Sequence, residues 1–466
     1  MANISEYKLV VGKDPTYNER RAAFFMIEKI KAVTGYNIPV TTDSDPVSEY
    51  EIIVGETERE KDLGVSFDRS RDKLFEYEIR YSDKKLFVTG LGISEEIFRE
   101  PYGAYAPVKD YGIGTLYAAM RFCEKVLGYE FIYVSDIDAL TDRDAEEIEI
   151  NESCSLLVSA EKLLAERPEK FEGAALYSIP GTSSFDLTRS CLIFKTSDSE
   201  FIVYDGGKRQ DAEHLVDILE YLADGKRPRV KAWLISQLRS AHSGALCEIC
   251  QDQDLNKRVD ILDVYCRLMS IEFYTEIGAS KGEDIDALKT DYEVIKNIQE
   301  HIGAELHIPN EEDRIAVGDF TVDVIRAPKD SLCECEKVNN NDSSVVYKVT
   351  YRDEQSMLLL GDGEKYTARE LDKKIDSESL KSDILLIGHH GRASISQKCF
   401  DAIGADIYIA QTTNKIWYSD ESSSARVPVY RVRRYIRELG KKRENVYRDT
   451  EGILSFSLPI AVKQEV

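Results

Sequence analysis

Short apolar runs closed by glycine or a polar turn alternate with longer segments of helical periodicity along most of the chain. YKLVVG ends at Gly12 and YEIIVG at Gly55, and each reads as a strand. Between them, NERRAAFFMIEKIKAVTG sets Ala23, Ile27, Ile30 and Val33 on one helical face, with Gly35 just past the end as a C-cap. YEIRYSDKKLFVTG alternates and turns about Ser82-Asp83-Lys84, which predicts a hairpin. GTLYAAMRFCEKVLG closes this part as a helix with Leu116, Met120, Cys123 and Leu127 on one face. Gly112 and Gly114 lead into that helix without the third glycine and downstream acid of a dinucleotide loop. Residues 151–171 predict a connecting helix broken at Pro168.

After Gly173 the pattern shifts to buried-strand runs. CLIFKTSDSEFIVYDGG predicts a hairpin with a Ser-Asp-Ser turn that ends in Asp205-Gly206-Gly207. DAEHLVDILEYL is a helix with Leu215, Ile218, Leu219 and Leu222 inward, and VKAWLIS is a buried strand running into WLISQLRSAHSGAL. SSVVYKVTY and SMLLLGDGE pair as a hairpin; SDILLIGHHGRAS and ADIYIAQ each contain a strand. The alternation predicts a mixed α/β and α+β chain of two domains, over 1–150 and 172–466, with 151–171 as the connection.

A length of 466 residues suffices for two cores, and 42 % hydrophobic with 31 % charged residues is ordinary for a globular chain. The net charge of −24 argues against nucleic acid and anionic lipid as partners. No run of 18 apolar residues exists to span a membrane. The start, MANISEYKLVVGKDP, lacks a signal pattern, and nine cysteines suit a reducing compartment, so a cytoplasmic location is expected. Cys247, Cys250, Cys333 and Cys335 have the sulfur spacing for zinc, but the first pair falls on a buried helix; reduced cysteines are the favoured reading.

VVG, TGYNIPV, IIVGETER and GIGTLYAAMRFCEKVLGYEF follow one another over residues 6–135 in an order that resembles the small N-terminal domain of α-glucuronidases and hexosaminidase-type glycosidases. The resemblance implies a non-catalytic accessory domain, so Asp136 and Asp138 read as solvated loop carboxylates. Over 172–460 the chain resembles the metallo-β-lactamase fold, and within it the hydrolase domain of competence-type DNA-uptake proteins. The motifs carrying this are Asn340, Asn341 and Ser343, then Gly361-Asp362, then Gly388-His389-His390-Gly391. The resemblance implies a four-layer αββα sandwich after the small α/β accessory domain.

That family's loop reads T-H-x-H-x-D-H-x-G-A-L. Here Ser236 takes the threonine place, Gln237 and Arg239 the first two histidines, Ala241 the aspartate and His242 the last histidine. The resemblance implies that the first ion's ligands are gone. His242, Asp362 and one of His389 or His390 remain for a second. Glutamine is a poor substitute for imidazole, alanine offers no donor, and arginine keeps its proton. A guanidinium ~4 Å from a divalent ion costs at most about 8 kcal/mol at an effective dielectric near 20. A full structural zinc site gains ~10–16 kcal/mol. The sequence therefore implies no tightly held cofactor, and at most one weakly held zinc or manganese ion. Arg239 is expected to pair with Asp362 as a substitute cation.

Two functions follow. One is a pseudo-hydrolase that binds an unidentified small molecule or protein, a carbohydrate-related ligand being the one its first domain suggests. The other is a metal-dependent hydrolase of a phosphodiester or another ester, with an altered single-ion site. His214 reads as a surface residue; His301 and His307 flank a helix end and a strand start, and supplying a lost third ligand is the less favoured reading for either. GTSSFD and GRASIS are not nucleophile motifs, and Cys399 has no evident histidine partner. Arg431, Arg433, Arg434 and Arg437 form a basic helix face that is solvated or phosphate-facing. Trp417 and Tyr418 form a loop that either packs or overhangs the cleft.

Overall fold

The computed structural model describes residues 2–70, 76–91, 114–129, 143–181, 189–281, 284–335, 338–391, 395–417 and 445–463. These divide into two compact units, one through Lys162 and one from Leu163 onward.

The first unit is built on a six-stranded sheet. Its strands run in the order Val40–Thr42, Lys8–Val11, Glu51–Val54, Lys85–Gly90, Tyr77–Ser82, Leu156–Val158. The first four are parallel and the last two antiparallel. The expected hairpin turns on Asp83 and Lys84, both at positive φ, as a two-residue turn of this twist requires. The helix Tyr17–Thr34 starts on a Thr16–Glu19 capping box and ends at Gly35 with φ 69°. Its buried stripe runs through Ala22, Ala23, Met26, Ile30 and Val33, so Met26 rather than Ile27 fills the middle of the face. Residues 151–171 are not one helix: Leu156–Val158 joins the sheet as an edge strand, and the helix is Ala160–Ala165. Gly112, Asp136 and Asp138 lie outside the described residues.

The second unit stacks two seven-stranded sheets. The first runs Glu305–His307, Asp260–Cys266, Arg229–Ile235, Phe201–Asp205, Cys191–Lys195, Ala175–Ser178, Leu454–Ser457. The second runs Arg314–Val317, Phe320–Arg326, Val346–Tyr351, Gln355–Leu359, Ile384–Leu386, Ile407–Ala410, Val446–Arg448. The central strands are apolar throughout because both faces are covered. Leu192, Phe194, Ile202, Tyr204, Ala232 and Leu234 meet Val322, Val324, Tyr347, Val349 and Leu359 between the sheets. The alternate residues Ile193, Val203, Trp233 and Ile235 face outward onto Leu215, Ile218 and Leu219 and onto Ala245, Leu246 and Ile249 of the helix Ser240–Gln251. On the far side, Phe400 of the helix Gln397–Ile403 stacks on Tyr408 of the second sheet at 5.8 Å. The order helix, sheet, sheet, helix makes this unit an αββα sandwich. No helix among the described residues is long and apolar enough to cross a membrane.

Candidate functional site

Parallel strands deliver their C-terminal ends to one edge, where ligands of open α/β sheets bind. Asp205 closes its strand, and Ser236 follows the parallel neighbour Arg229–Ile235. In the second sheet, Asp362, His389-His390 and Gln411 follow three mutually parallel strands. The backbone N–H of Val345 donates to Ser236 O at 2.7 Å, tying the two sheets at this edge. Gly361, at φ 59°, leaves no room for a side chain: a Cβ there would lie 2.9 Å from that of Ser344.

His242 is the centre of the site and is 1 % exposed. Its Nδ1–H donates to Asp205 Oδ2 at 2.8 Å, and its Nε2 lies 3.0 Å from Asp362 Oδ2. Asp205 also accepts from the Ser236 backbone at 2.7 Å and from its hydroxyl at 3.0 Å. Burial alone would lower the imidazole pKa; Asp362 and Asp205 outweigh it and raise His242 to about 10. Burial would raise Asp362, but His390, His242 and His389 hold it well below the usual carboxylate range.

Gln237 Nε2 sits 2.9 Å from His242 Nε2, while Gln237 Oε1 is buried with no hydrogen-bond partner. Exchanging amide N and O costs nothing in shape. With the carbonyl toward His242, a protonated Nε2 serves both Gln237 and Asp362, and the amide nitrogen takes the buried place without a partner instead.

His389 and His390 are consecutive non-glycine residues in the left-handed region, at φ 50° and 57°. Such a conformation costs about 1–3 kcal/mol each and persists only where surroundings enforce it. Here the His389 N–H donates to Gly361 O at 2.9 Å, and His390 Nδ1–H donates to Gln411 O at 3.1 Å. The bend sends the two rings apart. His390 Nε2 faces Asp362 Oδ1 at 3.4 Å and, though buried, has no hydrogen-bond partner. His389 turns to Glu364 and Asn341 instead, at 3.5 and 3.3 Å.

Arg239 is not Asp362's partner. Its Nη1 donates to Asn341 Oδ1 at 2.7 Å, and Asn341 Nδ2 donates to Glu364 Oε1 at 2.9 Å. The ion-pair partners of Asp362 among the described residues are His242 and His390. The buried carboxylate is met by histidines at closer range than the loop's register suggested. Ala241, in the helix's first turn, contributes only its carbonyl, which accepts from Ser190 N–H at 3.1 Å.

His242, Asp362 and His390 bring one ligand atom each to within 4.8 Å of one another. The Nδ1 atoms of both histidines are occupied by an acceptor, a carboxylate and a carbonyl, which is how metal-bound imidazoles are oriented. The orphaned His390 Nε2 and two buried carboxylates, Asp205 and Asp362, fit one divalent ion. The positions of Gln237, Arg239 and Ala241 do not fit a second.

A second cluster, Asp263, Glu305 and His307, lies on the outer strands of the first sheet, with His307 Nε2 2.9 Å from Asp263. His307 is thus engaged away from His242, and His301 is exposed. His214 is buried, 5 % exposed, and its pKa is lowered by that burial. It sits among the apolar residues of the Ala212–Leu222 helix, not on the surface. Trp417 is buried, with the Arg448 guanidinium 4.6 Å over its ring; Tyr418 and the four arginines of the basic stretch lie outside the described residues. The Cys247 and Cys250 thiols are buried, and no cysteine joins a metal-ligating cluster among the described residues.

Sequence reasoning passed over Asp205, taken only as a turn, and Gln411. An acid closing an all-apolar strand was the available signal for the first. Gln411 bridges the sheets through Ser178 and the Cys191 carbonyl. Beside it, Asp449 accepts from Ser178 Oγ at 3.1 Å and Thr412 N–H at 3.3 Å; burial pushes it up to about 7. A carboxyl raised in the folded state adds stability at low pH that is lost as pH rises from about 4 to about 7. The loss is on the order of 4 kcal/mol. Urea unfolding should show Asp449→Asn gaining on the wild type through that window and running parallel above it. A difference independent of pH would contradict this.

No family model matches the chain, and no curated protein matches it. Solved structures do. The metallo-β-lactamase fold protein YhfI from Bacillus subtilis is 9 % identical, with 61 % of this chain and 100 % of that one covered and a TM-score of 0.36. CmlA, a diiron β-hydroxylase from Streptomyces venezuelae, is 10 % identical over 67 % and 66 % of the chains, at 0.38. A Cronobacter sakazakii metallo-β-lactamase with a HARLDQ motif is 15 % identical over 50 % and 81 %, at 0.30. Independently of these likenesses, the order helix, sheet, sheet, helix makes the second unit an αββα sandwich.

Proposed function

We propose that this chain is a reduced metallo-β-lactamase-fold protein that binds one divalent ion through His242, Asp362 and His390. On this reading the first ion position is abandoned to Gln237 and Arg239, and the retained ion lacks the aspartate that Ala241 replaces. The observation that carries it is the orphaned, buried His390 Nε2, held toward Asp362 by the Nδ1 bond to Gln411 O. Charge supports it. Two buried carboxylates against one imidazolium leave a net negative site, whereas a divalent ion with neutral histidines leaves none. When bound, a single ion with three protein ligands supplies Lewis-acid activation of water for hydrolysis of an ester. The chain's own residues orient the donors: Asp205 fixes the His242 tautomer, and Gln411 that of His390.

A second reading, the pseudo-hydrolase, is favoured by the protonated state of His242. A proton shared by His242, Gln237 and Asp362 joins those three groups without an ion. Titrating chelator-stripped protein with zinc against a colorimetric chelator separates the two. One saturable equivalent, weakened at least 100-fold in His390→Ala, supports the single-ion reading. No uptake leaves the pseudo-hydrolase. The accessory-domain reading of the first unit, a carbohydrate-related ligand and a cytoplasmic location belong to the same proposal. They rest on the sequence resemblance and composition.

A further inference from the structure

We propose that Asp263, Glu305 and His307 form a separate surface site for a divalent ion of the zinc or manganese class, and that this ion pins the edge strand Glu305–His307 to its neighbour. Nothing in this site depends on the single-ion reading.

The strand register places the donors. Asp260–Cys266 and Glu305–His307 run parallel, with Asp263 opposite Glu305 and Tyr265 opposite His307. Side chains two apart on a strand share a face, so Asp263, Tyr265, Glu305 and His307 point to one side. On the other flank the same rows continue into Ala232 and Leu234, which pack between the sheets. One ligand atom from each of Asp263, Glu305 and His307 lies within 4.8 Å of the other two. His307 Nε2 is 2.9 Å from Asp263 Oδ1, and its ring stacks on Tyr265 at 4.7 Å and 18°. Donors carried on paired strands, with the imidazole already held, need little rearrangement to meet an ion.

Charge selects the ligand. Carboxylates directly opposite each other on adjacent strands destabilise the pairing. Among the described residues, no lysine or arginine forms an ion pair with Asp263 or Glu305, and one imidazole cannot balance both. Burial and the field of these two carboxylates push the Tyr265 phenol up to about 12. A divalent cation balances the pair, and one imidazole with two carboxylates suits zinc or manganese. The side chains of Asp263 and His307 are 35 % and 34 % exposed, so water completes the coordination and the ion exchanges with solvent. With three donors open to water the site is weaker than the buried one. Its ion is lost in gel filtration and yields to a strong chelator, so counts made in those ways do not include it.

The position gives the ion a structural consequence. Glu305–His307 is a three-residue strand at the margin of the first sheet, and the chain passes from it to Arg314–Val317, the outermost strand of the second. An ion shared with Asp263 fixes the point where the chain leaves the first sheet.

The test is calorimetric titration of the full chain, after one equivalent of zinc has been added to fill the buried site, with more zinc and, separately, with manganese. Saturable uptake of one further ion in the micromolar range is expected, and the tighter of the two metals names the class. Glu305→Gln and His307→Ala should each weaken it at least 10-fold, since even a partner behind a ligand is worth that much. His301→Ala, whose exposed imidazole lies outside the cluster, should match the wild type. His390→Ala should keep this uptake, so failure of the buried site leaves the surface site standing. In hydrogen exchange, excess metal should slow the amides of Glu305–His307 in the wild type and not in Glu305→Gln, a change at an exposed position. No further uptake of either metal, or uptake unchanged in Glu305→Gln and His307→Ala, overturns the site; equal exchange in the wild type and Glu305→Gln overturns the pin.

Discussion

Replacing His242 by alanine is expected to lower the unfolding free energy of the chelator-stripped protein by about 3–5 kcal/mol at pH 7, the usual cost of removing one partner of a buried ion pair. His242 lies between Asp205 and Asp362, with contacts of 2.8 and 3.0 Å and almost no exposure. Its removal leaves two buried carboxylates with fewer partners and opens a void beside Gln237. Ser236 still serves Asp205, and His390 still faces Asp362, so the chain should fold with reduced stability rather than fail. His242→Gln keeps a polar group in the space and should cost less. Urea unfolding measures both. A loss under 1 kcal/mol for His242→Ala would mean that the two carboxylates are not held by this imidazole.

The second large effect is a gain. Gln237→His, Arg239→His and Ala241→Asp together should raise the zinc stoichiometry from one to two per chain. The three substitutions return imidazole and carboxylate donors to the places that the resemblance assigns to ligands, and Gln237 already lies 2.9 Å from His242 Nε2. The arginine is the decisive position. Gln237→His with Ala241→Asp alone should remain at one ion, because the guanidinium still opposes a second by up to about 8 kcal/mol. Elemental analysis after gel filtration reads the count. Two ions in the double variant would show that Arg239 turns away from that place.

Much of this was legible in the sequence. Seven strands of the second unit, and the motifs at the ends of several of them, followed from apolar runs closed by glycine, aspartate or histidine; the remaining strands and the order of all of them in two sheets did not. Those runs are long and uninterrupted because both sheet faces are buried, which is a strong signal. Asp362 and the two histidines were placed in one cleft, but which histidine faces the aspartate was not. That depends on two successive left-handed residues, a conformation that no propensity of histidine suggests. Arg239 was paired with the wrong residue for a related reason. The reach of a long side chain is set by its neighbours across the sheet edge, here Asn341 from a loop some hundred residues later. Asp205 was read as a turn because a hairpin-ending Asp-Gly-Gly looks the same whether its carboxylate faces solvent or a buried histidine. Residues 151–171 misled in a different way: Leu156–Val158 is too short to declare itself as a strand, and only its pairing with Tyr77–Ile79 makes it one.

The most direct test is anomalous diffraction at the zinc edge from crystals grown after zinc titration. A single peak among His242 Nε2, Asp362 and His390 Nε2, with none beside Gln237 or Arg239, is the expected result. Two peaks there, or an ordered site with no peak and His242 still bonded directly to Asp362, would contradict the single-ion account.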